Sequence, residues 1–182
     1  MHSGSGNLAY LGSGTRLYGQ EPSVARSRGY WELQWIFSGG ARHYLDDTIK
    51  IPPKSPCLYI SHPDSFHGWT DDGAGRSEVF VLHFRAIPDE LSALIKPAKS
   101  LIIEFNDAEH RQAVSRLNEV LTMSREQDGR LALKLEQLLV EVALLVLGRE
   151  APTGNTFQAQ NRVENALHWF EENIGGHPSV DD

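Results

Sequence analysis

The chain has 182 residues, of which 40% are hydrophobic and 23% charged, the makeup of a single globular domain with a core of its own. Its net charge of −7 and the lack of any Lys/Arg cluster exclude nucleic-acid binding by phosphate neutralisation through these residues. A lone cysteine, Cys57, excludes an internal disulfide and any multi-cysteine zinc site.

The first ten residues, MHSGSGNLAY, lack the charged and apolar regions of a secretory signal, so a cytoplasmic location is expected. From Tyr30, YWELQWIF alternates: Trp31, Leu33, Trp35 and Phe37 share one strand face, and Glu32, Gln34 and Ile36 the other. SGG turns the chain into ARHYL, DD turns it into TIKI, and PPKSP is a loop because proline cannot donate to a ladder. CLYISH, FHGW and EVFVLHF are the next strands, the last with Val79, Val81 and His83 on one face. Short strands joined by polar turns predict an antiparallel barrel of cupin or jelly-roll type over roughly 8–85.

After Phe84 the hydrophobic period lengthens. IPDELSALI reads as a short helix, and Asn106 with Glu109 caps a long one carrying Val114, Leu117 and Leu121 on a stripe. Asp128-Gly129 breaks it, and RLALKLEQLLVEVALLVLG forms a second long helix, too short and too interrupted by Glu141 for a membrane span. A linker and a third helix, with Val163, Leu167 and Phe170 on its apolar face, complete the pattern. The expected class is α+β: a β-barrel with an N-terminal arm over 1–86, a helical segment over 87–150, and a linker with one further helix over 151–182.

Nucleophilic catalysis finds no support, since Cys57 lies within a strand pattern and no G-x-S-x-G elbow is present. His43, His62, His67 and His83 all fall in the β half, where a barrel could bring them together around a metal. The paired H-x-H with a following glutamate is missing, and no metal and no cofactor is expected. Aromatic rings concentrate in the same half. They suit the walls of a small-molecule pocket, for which Gln34, Trp35, Tyr59, His67, Trp69, Val81 and His83 are the expected lining, with Trp69 at the mouth.

WELQWIFSGGARHYLDDTIKIPPKSPCLYISHPDSFHGW with EVFVLHF resembles the N-terminal cupin-like effector domain of AraC-type transcription regulators. The likeness rests on the Gly pair, the Pro-containing turn, Pro63-x-x-x-His67-x-Trp69 and the closing HF, and covers about residues 20–182. The resemblance implies a non-catalytic domain that senses a small effector, a sugar among the candidates, under an N-terminal arm. It also implies homodimerisation through the second long helix, by way of Leu131, Leu135, Leu138, Leu139, Val142, Leu145 and Val146, with Leu133 and Leu144 besides. NRVENALHWFEENIGGHPSVDD then looks like the entry to a DNA-binding domain, so that DNA contact would belong to residues after Asp182. No membrane partner is expected. The alternative reading is a small cupin-type metalloenzyme or isomerase using the barrel histidines.

Overall fold

The computed structural model describes residues 6–46, 48–49, 56–71, 73 and 75–150. Residues 52–55 of the proline-rich loop, the linker and the third helix lie outside the described residues.

Among the described residues, nine strands and three helices follow in the order β1 (Leu8–Arg16), β2 (Ser23–Arg26), β3 (Trp31–Ser38), β4 (Ala41–Leu45), β5 (Thr48–Ile49), β6 (Cys57–Ser61), β7 (His67–Asp71), β8 (Ser77–Phe84), α1 (Asp89–Ile95), β9 (Ser100–Glu104), α2 (Asp107–Arg125) and α3 (Leu131–Glu150). The strands form two antiparallel sheets, a five-stranded one in the order β1-β8-β3-β6-β9 and a four-stranded one in the order β2-β7-β4-β5. The class is therefore α+β, as expected. Strand pairing among the described residues does not close into a ring, so the expected closed barrel is corrected to two open sheets.

The chain divides into two compact units. The first comprises residues up to Ala86 together with Leu94–Asn118, and holds both sheets. Its core between the sheets draws Ile36, Tyr59, Val79 and Val81 from the larger sheet, and Ala41 and Trp69 from the smaller one. The central strands β3, β6 and β8 are buried on both faces, so Leu33, Trp35, Leu58, Phe80 and Leu82 on the reverse side are as inaccessible as the core residues. Trp35 and Phe80 meet there edge to face at 6.2 Å.

Two strands are not revealed by the pattern. Within the span 8–85 expected for the β half, the N-terminal residues form β1, paired with β8 along nearly its whole length from Leu8 opposite Phe84 to Arg16 opposite Ser77. The segment 87–150 is not wholly helical: after α1 the chain returns to the sheet as β9, pairing with β6 from Cys57 opposite Glu104 to Ser61 opposite Ser100.

The second unit comprises Ile87–Ala93 and the chain from Glu119 onward. Asp128 stops the helix ending at Arg125 and caps the next through its carboxylate, which accepts from the Arg130 amide at 2.8 Å. Lys134 reaches back to Glu119 at 2.7 Å. Within α3, Leu135, Leu138, Leu139, Val142 and Val146 are buried in the single chain, whereas Leu131 and Leu145 are half-buried and Leu133 is exposed. The strip open to a partner is thus narrower than the sequence suggests.

Candidate functional site

Sequence parity decides which side chains can meet. Glu32 and Gln34 share the inner face of β3, opposite His83 and Val81 of β8 and opposite Ser61 and Tyr59 of β6. From the facing sheet, His67 and Trp69 of β7 point inward beside His43 of β4. Gly68 between them is required by close approach: a Cβ there would run into the Ser23 carbonyl and the Tyr44 ring. That approach seats β2 against β7 and delivers the segment carrying Arg26 and Arg28 to the site.

The centre of the site is the Glu32 carboxylate, 3% exposed. Oε1 accepts from Trp69 Nε1 at 2.7 Å and lies 3.5 Å from His67 Nε2. Oε2 lies 3.2 Å from both Arg28 Nε and His83 Nε2. The His83 contact is off the line of a hydrogen bond, so it is electrostatic. Burial alone would push the Glu32 carboxyl up. The contacts of His67 and His83 and the Arg28 charge outweigh it, holding the group well below the usual carboxylate range.

Ser65 Oγ donates to the His62 carbonyl at 2.6 Å, so at 2.7 Å from His67 Nδ1 it accepts, and Nδ1 is the donor of that pair. His67 Nε2 lies 3.2 Å from Arg28 Nε and 3.5 Å from Glu32 Oε1. Arg28 Nη2 donates to Ser23 Oγ at 2.9 Å. A buried Arg–Glu pair is thereby held by one histidine, one tryptophan and one serine.

Above this cluster, within the first unit, lies a cavity of about 480 Å³. Its lining includes Gln34, Trp69, Val81 and His83, as the sequence suggested. Three expected residues are corrected. Trp35 is on the reverse face of β3, one residue out of phase with Gln34. Tyr59 lies beneath Trp69 at 4.9 Å, ring edge to face, and His67 is fully buried against Arg28 and Glu32. Trp69 itself is 2% exposed, a wall of the cavity and not its mouth.

The larger part of the lining comes from residues before Trp31 that the pattern missed: Tyr10, Arg16, Tyr18, Arg26, Arg28 and Tyr30 among them. Tyr30 and Tyr10 stack on His83 at 4.1 and 4.8 Å, and Tyr18 stacks on Trp69 at 6.1 Å. The signal available was the even spacing of Tyr10 and Arg16, which a strand puts on one side; Tyr18 lies in the turn after that strand.

For metal chemistry, His62 is set apart, edge-on to Trp31, while His67 and His83 flank Glu32. Among the described residues no three His, Cys, Asp or Glu side chains are arranged to hold a metal ion. The position between His67 and Glu32 is taken by the Arg28 guanidinium, a fixed cation.

No protein-family model matches the chain, and no curated protein matches it. Among the described residues no helix is long and apolar enough to cross a membrane.

Proposed function

We propose that the chain is the ligand-sensing and dimerisation domain of an AraC-type transcription regulator, with the two sheets as a cupin-like sandwich. One observation carries this reading: a ring-lined cavity lies between the sheets, over an ion cluster whose members are paired with one another. A catalytic carboxylate or imidazole needs a free proton site aimed at a substrate. Glu32, Arg28 and His67 are committed instead to holding Trp69 and the cavity floor. The domain signals occupancy by binding a small molecule, and pairs with a second copy through α3. In regulators of that type DNA contact belongs to a separate domain, and the proposed setting is the cytoplasm.

The convergence of His67, His83 and Glu32 favours the metalloenzyme as the second reading. The Arg28 guanidinium within that group counts against it, because a bound dication would have to displace a buried positive charge.

A thermal-shift screen of the purified chain against small metabolites tests the proposal. A ligand that binds only the folded state at one hundred times its Kd adds about 2.7 kcal/mol of stability, a shift of several degrees. Stabilisation by divalent metals, with none by any organic compound, would favour the enzyme.

A further inference from the structure

We propose that the ligand of this cavity is a small carboxylate on a flat, ring-bearing body. This rests on reading the cavity as an effector site, and adds the chemical class of the effector.

The charge lining the cavity is opposite to that of the chain. The protein carries −7 overall, yet Arg16, Arg26 and Arg28 line the cavity against one carboxylate, Glu21. Arg28 is balanced by Glu32 beneath it. Arg16 and Arg26 have no hydrogen-bond or ion-pair partner among the described residues. An acidic protein that gathers cations at one concave site focuses anions there.

Hydrogen-bond capacity points the same way. The Tyr18 hydroxyl, in a side chain 6% exposed, accepts from Gln34 Nε2 at 3.1 Å, so its own proton is left to donate. No acceptor for that proton is present among the described residues. Burial pushes the phenol up to about 12, so it remains a donor at neutral pH. Of the five N–H groups of Arg28, Nε and one on Nη2 are engaged, which leaves three to donate. A polyol would bring a further proton for each hydroxyl and find few side-chain acceptors. A carboxylate only accepts, and guanidinium forks match it.

The flat body follows from the walls. Tyr10 and Tyr30, stacked on His83, and Tyr18, stacked on Trp69, line the cavity with aromatic rings. An aromatic lining favours a planar apolar body.

The test compares benzoate and 2-naphthoate with their uncharged amides, and with neutral monosaccharides, by thermal shift and tryptophan fluorescence. Parent protein and an Arg16→Gln/Arg26→Gln variant are measured side by side. Neither arginine has a hydrogen-bond or ion-pair partner among the described residues, so the unliganded variant should keep the parent's Tm. The expected result is stabilisation by the carboxylates, at least ~10-fold weaker binding of the amides, and a loss of ~10-fold or more in the variant. Raising salt should weaken binding of the carboxylates only. Amides that bind as well as the acids, or a variant that binds the acids unchanged, would overturn the inference. A monosaccharide that binds and alters fluorescence while the acids do not would overturn it too, and leave the effector-site reading standing. Failure of every organic probe would remove both.

Discussion

Glu32 and Trp69, thirty-seven residues apart on opposite sheets, are joined by a 2.7 Å hydrogen bond from the indole Nε1 to the buried carboxylate. This bond fixes the indole that walls the cavity, and it links the ion cluster to the ligand site. Trp69→Phe keeps most of the ring and removes the donor. It should cost about 1.5–3 kcal/mol in urea unfolding, the range for a hydrogen bond to a charged group. A loss below ~0.5 kcal/mol would mean that the bond does not hold the ring.

Glu32→Gln should be more severe. The amide oxygen can still accept from Trp69, but Arg28 is left as a buried, unbalanced charge, at a cost of about 3–5 kcal/mol at neutral pH. Chemical denaturation against the parent checks this, and Glu32→Gln with Arg28→Met should recover part of the loss by removing the orphaned charge.

The pH dependence has a defined sign. The folded-state pKa of Glu32 is depressed, so the unfolded state binds a proton first as pH falls. Its contribution is fully present above the ordinary carboxylate pKa of about 4.3 and is lost as pH falls through the depressed folded value. The stability gap between parent and Glu32→Gln should therefore be flat from pH 7 to about 5 and shrink below about 4. A gap that widens on acidification would reverse the assignment.

Asn106 is a local test of the helix reading. Its Oδ1 accepts from the amides of Ala108 and Glu109 at 2.9 and 3.0 Å, and Glu109 Oε2 accepts from the Asn106 amide at 2.9 Å. Asn106→Ala should cost about 1 kcal/mol, visible as a lower urea midpoint at unchanged slope.

That capping box was legible because every partner lies within three residues. So were β3 and β8, whose alternation groups Glu32 with Gln34 and Val81 with His83; the expected lining nevertheless included Trp35, which that parity puts on the opposite face of β3 from Gln34. What the pattern hid depends on distant partners. β1 is rich in Gly and Ser, and its residues gain strand geometry only by pairing with β8. β9 is a five-residue run between helices, which periodicity cannot tell from helix. Arg28 sits in a turn whose sequence, SRG, has no mark of a buried charge until His67 and Glu32 close around it. His67 has the parity of Trp69 but lies deeper, where it serves the cluster.

Assembly is tested on α3. Leu133 and Leu144, with Gln137 and Gly148, share its outer face at spacings i, i+4, i+11 and i+15. The parent should have a dimer mass by light scattering at micromolar concentration, and Leu133→Glu with Leu144→Glu should be monomeric. A monomeric parent would contradict dimerisation through this chain.

The central claim, a ligand cavity between the sheets, is tested most directly by the indole N–H signals in ¹H–¹⁵N NMR spectra. Trp69 walls the cavity, whereas Trp31 and Trp35 occupy the reverse face of β3. The spectra would be recorded while ring-bearing metabolites, charged and neutral, are added. The account predicts a compound that shifts the Trp69 signal saturably and leaves those of Trp31 and Trp35 in place. Saturable shifts at Trp31 or Trp35 with Trp69 unmoved would contradict it.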